Sequence, residues 1–585
     1  MASLYVSSLL VCVARNDSGA SSLLRRVPDG FETINSKDGG SYLVLKRRAS
    51  QRADVTATRC NDTATLILGD HHEWTADDSQ PLGNATIVRC QLDSRAASAL
   101  TGISGLPPLY IAETTTHVIV TSDLFLLRCV AAFQFRFDPE GVADLVRIGR
   151  PVSHRTLFRG VRLVPAGSCV TVSRSGTTVQ SAWSPPEVSP CATWNEYTEI
   201  QADVFRETAA ALDCSDTMLS LSGGLDSRTV FAALVASPRR VTAVTVTGEA
   251  QCLDARIASR LCRAYGWTHH IVTLGETFWR GLPDLAETAS LLSGGISSIS
   301  RAAQVYCYRH VGTGSPGTML SGHLGNQVGR LGTEGLSSRN ADVRLLSQQL
   351  VDTVSFSRPP EAWWMPAMRA DGHLDLKFLI QQESMFGSLA PYSVGSSYSV
   401  QQTPYSSRLL IENLWRMPST ADDETGHAKL HVLRHRFLGV PLDRSFQRRY
   451  INQVGGFVAE CPINWGWRST GGVSIPGLFW GGLTCVDAVV ATRVARRPAI
   501  EFMKALGIAG LHDWKPERQW AQRSLREFVR ETLTSRTTSQ SGVLDLEFVE
   551  RRLARQDANP SAGFDDTLLA ALDLALAVKN FAATA

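Results

Sequence analysis

Short runs of apolar and β-branched residues, separated by Gly, Asn, Asp and Ser, characterise the N-terminal part of the chain. The clearest are SYLVLKR, ATLILGD, NATIVRCQL, PLYIAET and HVIVTSD. Their length and composition predict strands. One helix is predicted at FDPEGVADLVRIG, because proline fits the first helical turn and acidic groups suit its positive end. The stretch from Gly160 to Trp183 returns to a strand–turn–strand pattern.

The pattern changes after the Pro-rich segment SPPEVSP (Ser184–Pro190), which predicts a linker. Beyond it, TMLSL, RVTAVTVTG and HHIVTLG predict buried strands. They alternate with helical patterns in YTEIQADVFRETAAAL, DSRTVFAALVA and LDARIASRLCRAYGW. This alternation is typical of a parallel sheet covered by helices on both faces. We therefore predict an α/β protein with domains at 1–185 and 195–585, the second ending in a mostly helical extension.

Composition narrows the classes of partner. The chain has 585 residues, and Lys plus Arg total 58 against 55 Asp plus Glu, a net charge of +3. This balance gives no reason to expect a nucleic acid or an anionic membrane as partner. The 12 cysteines are scattered without a Cys-x-x-Cys pair, which favours a reducing cytoplasm. No apolar run reaches the ~18 residues that a membrane span needs.

The stretch SLSGGLDSRT lies between a predicted strand and a predicted helix, where ligands bind in parallel sheets. Gly223 and Gly224 let the backbone approach a phosphate, and Ser222 and Ser227 offer hydroxyl groups to it. The helix N-terminus also favours an anion. Asp226 would be destabilised beside a bare phosphate, which indicates a divalent cation such as Mg²⁺ between the two. An ordinary capped turn would account for one glycine and one cap only.

The SGGLDS motif resembles the pyrophosphate-binding loop of the ATP pyrophosphatase superfamily, whose members cleave ATP between the α and β phosphates and adenylate a substrate. Within it, the chain is similar to glutamine-hydrolysing asparagine synthetase and to its relatives β-lactam synthetase and the lasso-peptide cyclases. The resemblance extends to PLYIAETTTHVIVTSDLFLLRC, RTLFRGVRLVPAGSCVTVSRSG, MLSGHLGNQVGRLG and TPYSSRLLIENLWRMP. It implies an N-terminal glutaminase-like sandwich followed by an ATP-pyrophosphatase domain.

The resemblance also implies which residues bind ATP and Mg²⁺. The implied nucleotide-binding residues are Leu221, Ser222, Gly223, Gly224, Asp226, Ser227, Thr247, Ser321 and Gly322. The implied metal ligands are Asp226 and Asn326. In SGHLGNQ, however, Asn326 and Gln327 replace the family's Asp and Glu, so two negative charges are lost. An amide oxygen can still ligate a metal, although more weakly than a carboxylate.

Adenylation also needs a cation to stabilise its transition state, and the resemblance implies Asp226, Arg468 and Lys429 as candidate catalytic residues. The family's late Arg-x-Lys-x-Gly loop best matches WRSTGGVS, with Arg468 retained and Thr470 at the lysine position. Arg468, Lys429 or an arginine of AKLHVLRHRF could supply the charge. The alternative for each is a solvated surface cation. Asp254 is expected to cap a helix or to contact the ligand.

Glutamine-dependent relatives use a cysteine directly after Met1, where this chain has Ala2. Cys12 lies inside the first predicted strand and is expected to be a core residue. We therefore expect no glutamine hydrolysis by the N-terminal domain. β-Lactam synthetase and the lasso-peptide cyclases share this loss, and they use an amine already present on a substrate.

The resemblance thus implies an AMP-forming, ATP- and Mg²⁺-dependent ligase that joins a carboxylate to an amine in the cytoplasm. The leading specific hypothesis is a lasso-peptide isopeptide cyclase, with a precursor peptide and its processing protease as partners. One alternative is amidation of a small acid or sugar acid by free ammonia. Another is a non-catalytic scaffold that has lost the family's metal-binding carboxylate (now Asn326) and its lysine (now Thr470).

Overall fold

The structure is a computed structural model. It describes residues 3–14, 32–35, 41–47, 63–69, 83, 85–91, 96–131, 133–212, 214, 216–248, 252–311, 317–330, 339, 341–354, 363–368, 375–418, 445–462, 519, 522–559 and 564–582.

The strands of the described N-terminal part form one hydrogen-bonded network. They are β1 Ser3–Ala14, β2 Glu32–Asn35, β3 Ser41–Arg47, β4 Thr63–Gly69, β5 Ala85–Gln91, β6 Ala96–Leu100, β7 Tyr110–Glu113, β8 His117–Thr121, β9 Val161–Leu163, β10 Ser168–Ser173 and β11 Gly176–Ser181. The main order is β11-β10-β6-β5-β4-β1-β8-β7-β9, and β3 joins β1 to β2. All these pairs are antiparallel except β1 with β4. The predicted strand-rich N-terminal part is confirmed.

Residues 10–13 of strand β1 are buried on both faces. Val11 and Val13 belong to an apolar cluster made by the N-terminal strands and their flanking residues. Leu10 and Cys12 point to the opposite face, because successive side chains of a strand alternate. There they join a larger cluster that includes helices from the C-terminal part of the chain. Cys12 is fully buried, as predicted, and burial raises the pKa of its thiol to about 12.

The predicted helix in the N-terminal part is helix α1, Pro139–Ile148. The side chain of Asp138 caps it by accepting the Gly141 N–H at 2.8 Å. Gly149 ends it with a φ of +92°, which glycine adopts without steric cost. The sequence signals for the beginning and the end of this helix therefore both correspond to its caps.

Residues 184–190, the predicted linker, contain no helix or strand. Both ends of the segment contact the C-terminal part of the chain. The indole nitrogen of Trp183 donates to Glu412 Oε1 at 3.1 Å, and the backbone N–H of Cys191 donates to the Arg416 carbonyl at 2.8 Å. The segment is therefore an extended connection anchored to the C-terminal part on each side.

The second sheet has five parallel strands with helices between them. The strands are β12 Thr217–Ser220, β13 Thr242–Thr247, β14 His269–Thr273, β15 Thr318–Leu320 and β16 Val400–Gln402, in the order β14-β13-β12-β15-β16. The helices up to β15 are α2 Trp194–Ala211, α3 Leu225–Ala236, α4 Leu253–Tyr265, α5 Glu276–Leu292 and α6 Ile299–His310. The direction of winding reverses between β12 and β15, and such a switch point opens a crevice at the carboxyl ends of the strands.

The rest of the described chain is mainly helical, as predicted. Its helices are α7 Gly325–Arg330, α8 Gln348–Val351, α9 Leu376–Phe378, α10 Met385–Ser396, α11 Arg408–Glu412, α12 Phe446–Val454, α13 Gly456–Glu460, α14 Arg523–Leu533, α15 Arg536–Gln540, α16 Leu546–Asp557 and α17 Asp566–Ala577. Helix α17 is buried nearly all round and continues as a π-helical turn, Val578–Ala582. Within the described residues, no helix has the length and apolar character that crossing a membrane requires.

Candidate nucleotide-binding site

The SGGLDS loop connects the carboxyl end of β12 to the first turn of α3 and closes on itself through two serines. The Ser222 and Ser227 hydroxyl oxygens lie 3.1 Å apart. The Ser227 hydroxyl also accepts the Ser222 N–H at 3.1 Å. Both hydroxyls thus lie at the N-terminus of a twelve-residue helix, next to the switch point of the sheet. This is the position that the sequence predicted for a phosphate site.

The backbone N–H groups of the loop glycines have hydrogen-bond partners within the protein. Gly223 N–H donates to Asp254 Oδ1 at 2.9 Å, and Gly224 N–H donates to the Ser222 hydroxyl at 3.2 Å. Both N–H groups are therefore paired within the protein in this structure. Asp254, in the first turn of α4, presents a carboxylate to the loop, and backbone N–H groups in such a loop donate hydrogen bonds to a nearby oxyanion.

Asp226 packs against the SGHLGN loop at distances that leave no space for a side chain. A Cβ added to Gly322 would lie 2.6 Å from the carbonyl carbon of Asp226, and one added to Gly325 would lie 2.6 Å from Asp226 Cβ. A Cβ on Gly224 would meet no atom closer than 3.3 Å. The steric need for glycine is therefore strongest where the two loops touch.

The backbone of the SGHLGN loop is anchored and strained. Ser321 N–H donates to the Gln402 carbonyl at 3.0 Å, which extends the pairing of β15 with β16. Leu324 has a φ of +63°, a conformation that costs a non-glycine residue roughly 1–3 kcal/mol. Helix α7 begins at the next residue, Gly325. Strain of this kind is concentrated at functional sites, which supports a functional role for the loop.

The residues at this junction fit a Mg²⁺ ion that is shared with phosphate. Such ions are usually held by one or two carboxylates plus phosphate oxygens. Asp226 offers one carboxylate, and Asn326 follows the glycine that touches Asp226. The Asn326 side-chain nitrogen is buried and has no hydrogen-bond partner among the described residues. As a donor, this nitrogen suits a phosphate oxygen, whereas the amide oxygen would be the metal ligand. A bound cation would neutralise phosphate charge there. Among the described residues, no group of three or more His, Cys, Asp or Glu side chains could hold a metal ion by itself. A metal at this junction would therefore need phosphate oxygens as further ligands.

A cleft of about 330 Å³ opens beside the SGHLGN loop, whose residues Ser321, His323 and Leu324 line it, whereas no residue of the SGGLDS loop does. Its walls are the carboxyl ends of β12, β13 and β15, one face of α6, and residues around β16. Leu106, from the N-terminal part, also lines it. The polar lining comes from Arg301, Gln304, Ser321, His323 and Gln402 among others, and no acidic side chain lines the cleft within the described residues. The cleft therefore suits a neutral or anionic ligand.

Two groups in the cleft define its electrostatics. Arg301, on α6, brings the positive charge of a guanidinium. Burial, together with the nearby Arg301 charge, lowers the pKa of His323 to about 4, so its imidazole is neutral at physiological pH. The His323 Nε2 atom is buried and has no hydrogen-bond partner among the described residues. The cleft thus offers a ligand one cation and one neutral hydrogen-bonding ring.

The structure brings some of the predicted site residues together and separates others. Leu221 to Ser227, Ser321, Gly322 and Asn326 lie in the two loops. Thr247 lies at the end of β13, and its hydroxyl donates to Cys252 Sγ at 2.7 Å. Of the predicted nucleotide-binding residues, Ser321 lines the cleft and the others do not. The predicted catalytic residues Arg468 and Lys429, and Thr470, lie outside the described residues.

Sequence reasoning missed Arg301, His323 and Gln447. His323 occupies the first aspartate position of the family's Leu-Ser-Gly-Asp motif, so that comparison could have found it. Arg301 carried no local signal, because it is one of several polar residues on α6. Gln447, on α12, reaches Asp226 through tertiary packing alone, with Gln447 Nε2 donating to Asp226 Oδ1 at 2.8 Å.

Residues 216–349 match the family model described as asparagine synthase. This segment is an asparagine synthase domain. It contains the SGGLDS loop, the SGHLGN loop and the helix that carries Arg301. An asparagine synthase domain implies an ATP-dependent carbon–nitrogen ligase, which agrees with the sequence-based expectation for the enzyme class.

No curated protein matches the chain. Among solved structures, it is similar to the NH3-dependent NAD synthetase from Campylobacter jejuni, at 20% identity over 25% of this chain and 65% of that chain, with a TM-score of 0.17. It is also similar to an allosteric regulatory enzyme of purine biosynthesis, at 10% identity over 46% of this chain and 80% of that chain, with a TM-score of 0.20. It is similar as well to NMN synthetase from Francisella tularensis, at 14% identity over 39% of this chain and 94% of that chain, with a TM-score of 0.18.

Proposed function

We propose that the asparagine synthase domain of this chain forms an amide bond through an acyl-adenylate. A carboxylate oxygen of the substrate attacks the α-phosphorus of ATP, and the bond to pyrophosphate breaks. An amine nitrogen then attacks the acyl carbon and loses a proton, and AMP leaves. The observation that carries this proposal is the meeting of the two loops at Asp226, beside a cleft that contains Arg301 and no described acidic side chain.

Each group has a defined role in this proposal. The serine hydroxyls of the SGGLDS loop and the N-terminus of α3 hold the pyrophosphate part of ATP. Asp226, with Asn326, holds Mg²⁺. Arg301 attracts the substrate carboxylate or the charge that develops on the α-phosphate, and such preorganised cations stabilise phosphoryl-transfer transition states. Arg468 and Lys429 remain proposed sources of a second cation.

The proposed amine is one that a substrate carries, as in a lasso-peptide isopeptide cyclase. The buried thiols of the N-terminal part support this choice, since burial raises the pKa of Cys12 and of Cys90 to about 12. Neither thiol would be an ionised nucleophile for releasing ammonia from glutamine. A precursor peptide and its protease would then be the partners, and the proposed location is the cytoplasm.

ATP–pyrophosphate exchange tests the proposal. The purified chain is incubated with Mg·ATP, labelled pyrophosphate and a panel of acids, including peptides with internal Asp or Glu. We expect exchange with an accepted acid, and Asp226→Asn should lower it about 100-fold or more, because Asp226 holds the charge-neutralising metal. The matched control is Asp203→Asn, which removes an exposed carboxylate paired with exposed Arg206. Exchange by Asp226→Asn at the wild-type rate would contradict the assignment.

Product analysis separates the candidate functions. Loss of one water from a peptide with a free N-terminal amine, together with AMP formation, indicates the cyclase. AMP formation only with added ammonium and a small acid indicates the alternative amidation. No AMP from any acid and amine, with ATP still bound, indicates the non-catalytic scaffold.

A further inference from the structure

A buried amide from the C-terminal part of the described chain holds the Asp226 carboxylate. Gln447 lies on α12 and is completely buried. Its Nε2 atom donates to Asp226 Oδ1 at 2.8 Å and lies 2.9 Å from the Tyr405 hydroxyl and 3.3 Å from the Gly325 carbonyl. The Tyr405 hydroxyl in turn donates to the Asp226 carbonyl at 3.1 Å. Both the side chain and the backbone of Asp226 are therefore fixed by this network.

The orientation of the Gln447 amide follows from its surroundings. Three acceptors surround Nε2, whereas the Ser445 hydroxyl donates to Oε1 at 3.2 Å. Turning the amide over would place its oxygen against the Asp226 carboxylate and the Gly325 carbonyl, where no proton is available. The network thus requires Gln447 to be a donor towards Asp226.

Two glycines on α7 make this contact possible. Gly325 and Gly329 lie four residues apart and so on the same side of the helix. A Cβ on Gly325 would lie 2.6 Å from Asp226 Cβ, and one on Gly329 would lie 2.6 Å from Gln447 Cδ. The GNQVG sequence therefore provides a smooth helix surface on which the carboxylate and the amide meet.

We propose that Gln447 is a positioning residue that sets the orientation of the Asp226 carboxylate for a divalent cation. A neutral donor fixes the carboxylate rotamer and favours its ionised form without cancelling its charge. A Lys or Arg in the same place would neutralise Asp226 and compete with the cation. Hydrogen bonds that orient metal-binding carboxylates commonly change metal affinity about 10–100-fold when they are removed. This inference rests on the proposed function, because it assumes that Asp226 binds the cation of Mg·ATP.

The test measures ATP binding to the full chain by calorimetry as a function of Mg²⁺ concentration. Gln447→Met keeps the length of the side chain but removes the donor. Gln453→Met is the matched control, because Gln453 lies on the same helix and is exposed. Tyr405→Phe is a second variant, which removes the hydroxyl that bridges Gln447 and the Asp226 carbonyl. Tm and circular dichroism report the fold of each variant.

We expect Gln447→Met to raise the Mg²⁺ concentration for half-maximal ATP binding about 10–100-fold. The Kd of ATP at saturating Mg²⁺ should change little, and Tyr405→Phe should shift the Mg²⁺ requirement in the same direction by a smaller factor. A folded Gln447→Met with an unchanged Mg²⁺ requirement would overturn the proposal. The proposal would also be overturned if Gln447→Met lost as much ATP affinity at saturating Mg²⁺ as at low Mg²⁺, since Gln447 would then have a purely structural role.

Two further outcomes are decisive. If Gln447→Met does not fold, Tyr405→Phe with a wild-type Mg²⁺ requirement overturns the proposal. If the wild-type chain binds no ATP at any Mg²⁺ concentration, the proposed function fails and this inference fails with it. A different outcome is that wild type binds Mg·ATP and Gln447→Met binds it with the same Mg²⁺ requirement. That outcome would refute only the positioning role of Gln447.

Discussion

At the candidate site, glycine residues matter because they have no side chain. Gly322, Gly325 and Gly329 let two loops and a helix touch at backbone distance, and a Cβ at any of them would collide with Asp226 or Gln447. In that confined space, the Asp226 carboxylate accepts a hydrogen bond from the neutral Gln447 amide. The geometry of the site is therefore encoded jointly by missing side chains and by one amide donor.

Replacing Gly325 by Ala should separate the two loops. The added methyl group must displace Asp226, and overpacking of this kind costs about 1–3 kcal/mol of unfolding free energy. We also expect ATP affinity to fall, because the carboxylate moves. The control is Gly281→Ala in the middle of α5, where the new Cβ would meet only Leu285 at 3.6 Å. That change should stabilise the chain by about 0.5–1 kcal/mol. Urea denaturation and calorimetry measure both effects, and equal stability of the two variants would contradict this account.

Asn326→Asp tests the amide that replaces the family's carboxylate. The change puts a second negative charge near Asp226, so we expect Mg²⁺ to support ATP binding at a several-fold lower concentration. Without Mg²⁺, the two carboxylates repel each other and Tm should fall relative to wild type. Thermal unfolding with and without Mg²⁺ measures the difference. A variant whose Tm responds to Mg²⁺ as wild type does would show that Asn326 lies outside the metal site.

At the scale of elements, the sequence predicted what local patterns encode. The strands and helices from Trp194 to Thr273 follow the predicted alternation, and the SGGLDS loop lies between β12 and α3 as expected. The partners of that loop could not be predicted. Asp254 lies 31 positions after Gly223 in the sequence, and Gln447 lies 221 positions after Asp226. Such contacts depend on tertiary packing, which the spacing of apolar residues does not predict.

Helix α16 is linked to the turn before α8 by an ion-pair network that should make stability depend on pH. The hydrogen bonds from Arg344 lower the pKa of Asp342 to about 2, and Arg552 of α16 also donates to it. Because the folded pKa lies below the unfolded value near 3.9, the stabilisation is present above about pH 4 and is lost as pH falls towards 2.

Asp342→Asn should therefore cost stability at pH 5 and progressively less at lower pH. We expect a difference of about 1–2 kcal/mol at pH 5, reduced from the full linkage value because solvent screens the exposed Arg344. Urea denaturation of both proteins at pH 5, 4 and 3 measures it. A difference that stays constant across this range would show that the ionised carboxylate does not contribute.

At the scale of the whole molecule, the N-terminal strands and the C-terminal helices share one core. The largest apolar cluster contains Leu10 and Cys12 of β1 together with most of α17. Asp573, also on α17, is buried, and one of its carboxylate oxygens lies 2.9 Å from Arg339 Nη2. One residue of the N-terminal part, Leu106, also contributes to the cleft wall. The N-terminal part therefore shares its core with the C-terminal helices and supplies one residue of the cleft wall.

Phe581 offers a direct test of this shared core. It is 1% exposed, and its ring lies 4.9 Å from that of Phe158 and 5.0 Å from that of Phe135, both in the N-terminal part. Removing a buried aromatic ring of this kind costs about 3–5 kcal/mol. We expect Phe581→Ala to lower the unfolding transition seen by tryptophan fluorescence and by circular dichroism to the same extent, because both parts lose the contact. The control Leu409→Ala, at a side chain that is 60% exposed, should change stability by less than about 0.5 kcal/mol. Two separate transitions, only one of them shifted by Phe581→Ala, would mean that the N-terminal strands fold independently of the helices that cover them.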